Sequence, residues 1–367
     1  MARSVNDRLQ DETIAHVLYV NRYGTGVARR MVALLNKLDA DLAARLLVLL
    51  DGKRADTYSA RRLASLLAGV RDLNQKAYEP VNDALARELA RYVEYEAGYQ
   101  LDLFNSIIPK QILKHVPLQS IAPEQVYAAA VAQPFQGRLL KEWGQKLEAD
   151  RLDKITNAVR SGFLQGETVE QIVKRVAGTP KLRREDGVIN ASRRDLAVVT
   201  RTAVNHMAAT ARQEFAQANS DIVKAKQWSS TLDTHTSQWC IIRDRKLYTL
   251  DGKPLGHVVP YLRGPGKIHF CCRSGEILIT KSWEELQIAS GELSSATRAS
   301  MDGQVPTHTS YADWLTRQPY ARQEQVLGVT RAMMLRDGKI TVPEMFNDAG
   351  EFLTLDELRR VDASAFE

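Results

Sequence analysis

Apolar residues recur at helical spacing through most of the first hundred positions, and that pattern constrains the fold more than any other feature of the chain. Leu9, Val17, Val20, Val27, Met31, Leu34, Leu38, Leu42 and Leu46 follow one another at steps close to the period of an α-helix. Ser4-x-x-Asp7 offers an N-terminal cap, Tyr23-Gly24-Thr25-Gly26 is expected to kink or break the run, and Asp51-Gly52 to end it. A second periodic segment carries Leu63, Leu66, Leu67, Val70 and Leu73, then Val81, Leu85, Leu89, Tyr92 and Tyr99, with Pro80 fitting the start of a new helix. Two long helices joined by the polar stretch GKRADTYS form an antiparallel hairpin that buries its Leu-rich stripes, a helical arm over residues 1–108. Such stripes face either the arm's own core or helices of a partner.

The rest of the chain is punctuated differently. Pro109, Pro117, Pro123 and Pro134 frame one short helix, EQVYAAAVA, in a helical connector over 109–150. Arg138 to Phe163 resumes a helix with Leu139, Leu140, Trp143, Leu147, Leu152, Ile155 and Val159 as its apolar positions, and Thr168-Val169-Glu170-Gln171 is a capping box for the next. Ser192-x-x-Asp195 opens another helix running to about Asn219, with Leu196, Val199, Ala203 and Met207 on one face and Arg201, Asn205 and Arg212 on the other. The period then changes to two in VKAKQWSS, KLYTL and RSGEILIT, which read as short strands of a small antiparallel sheet packed on that helix. An α+β module over 151–288 follows from this order of elements. Residues 289–310 are rich in Ser, Thr, Gly and Ala and read as a flexible linker, and 311–367 as a helical C-terminal unit whose caps are Thr341-x-x-Glu344 and Thr354-x-x-Glu357. The fold class is mainly α with a small α+β module.

With 44% apolar residues in 367, the chain has enough material for two or three packed domains. No run approaches the roughly 18 apolar residues of a membrane helix. The N-terminus MARSVNDRLQDET lacks the apolar core of a secretory signal, so the expectation is synthesis and retention in a reducing cytosol. Three cysteines, two of them adjacent, do not make a disulfide framework. The formal charge is 50 − 44 = +6, and it is concentrated: between Ile172 and Asp195 seven Lys or Arg stand against three Asp or Glu. Within that stretch Gly178, Pro180, Gly187 and Asn190 suggest an exposed loop, on which Arg183, Arg184, Arg193 and Arg194 could reach phosphates of a nucleic acid. A solvated loop is the alternative reading, because no aromatic residue interleaves it for base stacking.

From Lys224 to Trp283 the chain carries a recurrent signature: Trp228 at a strand end, Asp233 to Thr236 as Asp-x-x-Thr, a lone Cys240, then His269-x-x-Cys272-Arg273 leading into a strand, all preceded by Arg201-Thr202 on a helix. This order resembles the minor head proteins of tailed phages, the phage Mu protein F-like family, over roughly residues 150 to 285. The tail, with Trp314-Leu315, Gln318-Pro319, Leu327-Gly328, Arg331, Gly338 and LTLDEL, resembles the ends of phage head morphogenesis proteins. The resemblance implies a structural protein without chemistry of its own, located in the virion near the portal inside the head and acting in head morphogenesis and DNA packaging or ejection. Its implied partners are the portal protein, other capsid proteins and packaged double-stranded DNA bound without sequence preference, with no membrane. The resemblance and the spacing together imply that Arg201, Asp233, His269 and Cys272 form a structural latch between helix and strand ends.

Two chemistries compete with that reading. A structural zinc site needs four N or S ligands in tetrahedral array. Cys240, His269 and Cys272 offer three, with His235 or His257 as a fourth, yet Cys240 stands outside any Cys-x-x-Cys pair and Ser274 holds the position after Arg273, so the expectation is no metal and no cofactor. Asp233, His235 and His269 could instead hold a divalent ion in a metal-dependent nuclease, with the basic loop gripping the backbone. The carboxylate cluster that such an enzyme requires is missing from their neighbourhood in the sequence, and Cys272 with His269 lacks the third, orienting group of a nucleophile pair.

Overall fold

The computed structural model describes residues 4–51, 60–182, 184–287, 297–300, 303–306 and 309–361. In chain order the elements are helices α1 (Val5–Asp51), α2 (Ala60–Ile107), α3 (Lys110–His115), α4 (Pro123–Ala132), α5 (Leu140–Leu164), α6 (Val169–Ala177) and α7 (Asn190–Ala218), strand β1 (Val223–Ser229), the short helix α8 (Gln238–Ile241) and strands β2 (Leu247–Tyr248), β3 (Pro254–Leu255) and β4 (Gly275–Thr280). A hairpin of β5 (Thr297–Ser300) and β6 (Gly303–Pro306) precedes α9 (Tyr311–Thr316), α10 (Tyr320–Leu327), α11 (Val329–Arg336) and α12 (Leu355–Val361). The mainly helical class with a small four-stranded antiparallel sheet is the class the sequence predicts, and the β5–β6 pair adds a second, two-stranded sheet.

Two sequence expectations about helix ends are corrected. α1 runs without interruption through Gly24 and Gly26, and α2 through Pro80. Each Gly costs a helix interior roughly 1 kcal/mol and a Pro about 3, but long apolar stripes on either side are buried and hold the flanking turns in helical geometry. Gly24 also allows Val204 to lie 3.5 Å from where its Cβ would be, so here the small residue serves packing rather than a break. Along α1 the buried positions include Leu35, Leu42 and Leu46, whereas Leu34 and Leu38 are only partly covered. The Thr168 capping box is present, its side chain accepting from the Gln171 amide while Gln171 returns a bond to the Thr168 amide. α7 starts at Asn190, two residues ahead of the Ser192 cap suggested by the sequence.

The chain divides into two compact units whose boundaries fall inside α1, α2, α4 and α7. One comprises Met1–Asn21, Val93–Tyr127 and Asn205–Glu367. Its sheet has the order β3-β2-β1-β4, all neighbours antiparallel, and β1 pairs with β4 from Val223 opposite Thr280 to Ser229 opposite Gly275. One face of that sheet shares a core with both chain-distant helical segments: Leu9, Leu103, Phe104, Ile107 and Ile112 pack with Phe215, Ile222, Leu278 and Trp283. A second core joins Leu232 and Ile241 to Tyr311, Trp314, Leu327, Met345 and Leu358 of the C-terminal helices. The residues expected as a helical arm and as a C-terminal unit therefore contribute to cores that the α+β segment completes. Within the stretch expected to be a flexible linker, the described part forms the β5–β6 hairpin.

The other unit comprises Arg22–Tyr92 and Ala128–Val204. Leu42, Leu46, Leu66 and Val70 of the long helices pack there on Ile155, Val159, Ile172, Val176 and Ile189. Beside that core a buried carboxylate, Asp39, receives Arg151 and also Arg193, the latter at 3.1 Å. Arg151 has no exposed surface and lies over the Tyr78 ring at 5.5 Å. Removing one partner of such a pair strands the other charge away from water, which costs about 3–5 kcal/mol. Asp39→Ala should accordingly lower the stability of this unit by that order in chemical denaturation, and adding Arg151→Met should restore a large part of the loss. An Asp39→Ala protein with an unchanged unfolding midpoint would show that the pair is not stabilising.

Candidate functional site

The antiparallel register of β1 with β4 decides where the sequence signature converges. Ser229, the last residue of β1, lies opposite Gly275, the first of β4, so the segments just after one strand and just before the other begin side by side. Ser230 opens the excursion with two bonds: its amide donates to Asp244 Oδ1 at 2.8 Å and its hydroxyl to the Cys240 carbonyl at 2.8 Å. Thr231 Oγ1 donates to the Arg273 carbonyl at 3.1 Å, joining the two ends directly. α8, a single helical turn after Ser237, then turns Cys240 inward.

Cys240, His269 and Cys272 meet in a cluster whose two cysteines are buried and whose histidine is partly exposed. The two sulfurs are 3.6 Å apart, and Cys240 Sγ lies 3.3 Å from His269 Nε2. Both cysteines are 1% exposed. Nδ1 of His269 faces the Phe270 carbonyl at 2.9 Å and donates to it, so in the neutral ring Nε2 carries the free lone pair; it accepts from the Ser237 hydroxyl at 2.7 Å. The Gly266 amide donates to Cys272 Sγ at 3.3 Å. Gly266 has φ +78, and a Cβ there would press on the Asn205 carbonyl and Ala209, so the loop can approach α7 only with glycine at this position. Among the described residues, these three side chains are the group whose possible metal-ligand atoms all lie within 4.8 Å of one another. Asp233 and His235 of the expected nuclease set do not belong to it.

Protonation in the cluster is shared. Burial pushes the Cys240 thiol up, and its bond to Cys272 adds to that effect. Burial also opposes charge on Cys272, but Cys240, His269 and the Ser274 amide outweigh it and hold Cys272 well below the usual thiol range. For His269 burial works against the cation, while Cys272 and the Phe270 carbonyl more than compensate and raise it. The pair thus keeps Cys240 as the proton donor and Cys272 as the acceptor. With both sulfurs sealed from solvent, neither is presented to a substrate as a nucleophile.

Of the four residues expected to form a latch, the structure gathers His269 and Cys272, with Asp233 nearby in a different pairing. Asp233 takes a bidentate pair from Arg273, at 2.5 and 2.8 Å, and Oδ1 also accepts from the His235 amide and the Thr236 hydroxyl. Arg201 does not supply that charge: its Nε donates to the Ala197 carbonyl within its own helix. The tie from α7 comes one turn later, where Asn205 Nδ2 donates to the Cys272 carbonyl at 2.9 Å in a buried setting. Asn205 shares with Arg201 the polar face read from the sequence, a spacing of one turn that could have nominated either. Asp244 and Tyr311 were not foreseen. The Tyr311 amide donates to Asp244 and its hydroxyl to the Asp233 carbonyl, which fastens the first C-terminal helix to the same loop. A further unforeseen network links Lys267 to Gln213, and Gln213 to Tyr261 and Glu276, with Lys226 over the Tyr261 ring at 4.1 Å.

The expected nucleic-acid residues separate. Arg183 lies outside the described residues. Arg193 sits on α7 with its side chain mostly covered and donates to Asp39, which turns it away from solvent. Arg184 is partly exposed in a loop whose backbone is folded tightly, with Thr179 bonded to Asp186 through both amide and hydroxyl, and Arg194 is exposed on α7.

Burial opposes charge on Asp233, yet the Arg273 pair and the two local donors hold its carboxyl below the ordinary range. A depressed carboxylate contributes stability that is complete above its unfolded value of about 4 and disappears as pH falls through the lower folded value. Asp233→Asn should then cost about 2 kcal/mol at neutral pH, the usual scale for a lost charge-assisted bond, with the deficit narrowing as the protein is titrated below pH about 4. A deficit that stays constant through that acid range would contradict the pairing.

No curated protein and no solved structure matches the chain. Residues 153–275, which hold α5 from its middle, α6, α7 and the whole of the cluster just described, match the family described as phage Mu protein F like protein, the family that the Arg201-to-Arg273 signature resembles.

Proposed function

We propose that this chain is a structural minor head protein of a tailed phage, associated with the portal inside the head and acting in head morphogenesis and in DNA packaging or ejection. The observation that carries the reading is the family match over residues 153–275, which makes the protein phage head-related at the coarser level. The site is consistent with a structural rather than a catalytic role. Its sulfurs are buried, the Asp233 carboxylate is paired with Arg273, and its hydrogen bonds run between chain segments distant in sequence. No helix among the described residues is long and apolar enough to cross a membrane.

The direct experiment is recovery of the tagged chain from purified, nuclease-treated heads together with the portal protein. Its presence there in few copies supports the proposal, and its absence from heads, or magnesium- or manganese-dependent cleavage of DNA by the purified chain, favours the nuclease alternative.

The long helices are the proposed docking element. Leu18, Tyr19 and Tyr95 are each about two-fifths exposed, and the two tyrosine rings lie 5.4 Å apart, which gives α1 and α2 an apolar outer surface. Because the same helices complete the core beneath β1 and β4, deletion of 1–108 would unfold the protein rather than test docking. Leu18→Glu with Tyr95→Glu should instead reduce incorporation into heads several-fold while the free protein stays folded, as checked by circular dichroism. Normal incorporation of that folded variant places the docking surface elsewhere.

Packaged DNA would meet Arg184, Arg194 and the exposed Lys181. Each phosphate contact removed should reduce the slope of log affinity against log salt by about 0.9. Replacing the three by Gln therefore weakens binding to any DNA sequence and flattens the salt dependence; an unchanged slope removes this surface from the proposal.

A further inference from the structure

The strand pairing brings together two thiols and an imidazole that the sequence places 32 residues apart at the extremes. Nothing in their spacing announces a metal site, because the paired short-spaced cysteines of a zinc finger are missing. Their three-dimensional arrangement is another matter. On a tetrahedral zinc ion with bonds of about 2.3 Å to sulfur and 2.0 Å to nitrogen, two sulfurs stand about 3.8 Å apart and a sulfur and a nitrogen about 3.5 Å. The observed separations, 3.6 Å between Cys240 and Cys272 and 3.3 Å between Cys240 and His269, need to open by only a few tenths of an ångström.

We propose that Cys240, His269 and Cys272 form a three-ligand site for a thiophilic divalent ion of the zinc class, with a water molecule in the fourth position. Three further observations support the assignment. His269 donates Nδ1–H to a backbone carbonyl, the outer contact that fixes a ligating imidazole with Nε2 toward the ion. The Gly266 amide aims at Cys272 Sγ, a second outer contact of the kind that steadies a coordinated thiolate. The donor set contains no carboxylate, Asp233 being held by Arg273, which selects against calcium and magnesium and in favour of a sulfur- and nitrogen-seeking ion.

Charge balance favours the same ion. Two thiolates and a divalent cation sum to zero, so the loaded site buries no net charge, a requirement for groups as enclosed as these sulfurs. Cys271 remains outside the group even though it adjoins Cys272, because its backbone has φ +52 and its side chain does not join the three. Ser237, whose hydroxyl now bonds to Nε2, would turn its bond to the coordinated water instead. The ion would tie the turn after β1 to the loop before β4 and thereby close the excursion between residues 230 and 274. The assignment stands independently of the phage-head reading, since it rests on side-chain geometry alone.

The test uses the full chain purified under reducing conditions without chelator. Elemental analysis should find close to one zinc per chain. After removal of zinc, added cobalt(II) should produce the intense visible bands of a tetrahedral site together with thiolate-to-cobalt charge transfer in the near ultraviolet, a readout that needs no variant. Cys240→Ser and Cys272→Ser should each abolish the charge-transfer band or halve it, and His269→Ala should weaken zinc affinity at least tenfold, with Cys271→Ser leaving every reading at the wild-type level. Folded wild-type protein that takes up neither zinc nor cobalt at micromolar concentrations overturns the proposal. So does a metal signal that survives in folded Cys240→Ser and Cys272→Ser proteins, or one lost with Cys271→Ser.

Discussion

Antiparallel pairing of β1 with β4 is the constraint on which the rest of the α+β segment depends. The two strands are separated by 45 residues from Ser229 to Gly275, yet they form the longest ladder of the sheet. Closing a loop of that length is entropically unfavourable, though the cost grows only slowly with length. The register places Thr231, two residues beyond Ser229, against Arg273, two before Gly275; Asp233 reaches the same Arg273, and Cys240, much further along the excursion, is brought back to Cys272 by the fold of the loop and α8. Gly275 at the start of β4 has a specific reason to be glycine, since a Cβ there would lie 2.4 Å from Val17 of α1.

The excursion has a small apolar core of its own, in which Tyr248, Tyr261, Cys240 and Cys272 pack with Trp228, and polar groups add to it. Several buried groups are paired across the segment: Ser230 with Asp244 and Cys240, Asn205 with Cys272, Arg243 with the carbonyls of Trp239, Pro260 and Ala349. Arg243 is fully buried and lies near the rings of Trp228 and Trp239, and burial pulls its guanidinium below the ordinary range. A network of this sort specifies one arrangement strongly, because each group left without a partner costs about 1–3 kcal/mol. The same argument explains why the C-terminal helices join the structure: Tyr311 satisfies Asp244, and Trp314 and Leu315 cover Leu232 and Ile241.

Helix-forming tendency in the first hundred residues illustrates where local rules stop. Gly24, Gly26 and Pro80 are breakers by propensity, and the helices pass through all three. Propensity terms of one to three kcal/mol are small beside the burial of stripes that contribute about 1.5–3 kcal/mol for each large apolar side chain. The helices also serve two different cores along their length, which periodicity cannot reveal, since an apolar stripe looks the same whichever partner covers it.

By itself the sequence determined the helical periodicity of the long segments, the Thr168 and Thr354 caps, the alternating strands around Trp228 and Ile277, and the signature from Arg201 to Arg273, all of which are written in spacings of a few residues. It also placed Cys240, His269 and Cys272 among several candidate ligands, with His235, His257 and Asp233, while its spacing led to the expectation of no metal. Only the tertiary structure decided that Asp233 is paired with Arg273 rather than Arg201, that Asn205 makes the tie to the Cys272 carbonyl, and that Arg193 is bound to Asp39 instead of standing free for phosphate. Each of those outcomes depends on which chain segments the packing brings side by side, loop against loop for Asp233, helix against loop for Asn205 and helix against helix for Arg193. Charge and polarity name the candidates, but a partner 40 or 150 residues away is chosen by the strand register and by the packing of the long helices, and neither is encoded in any local pattern.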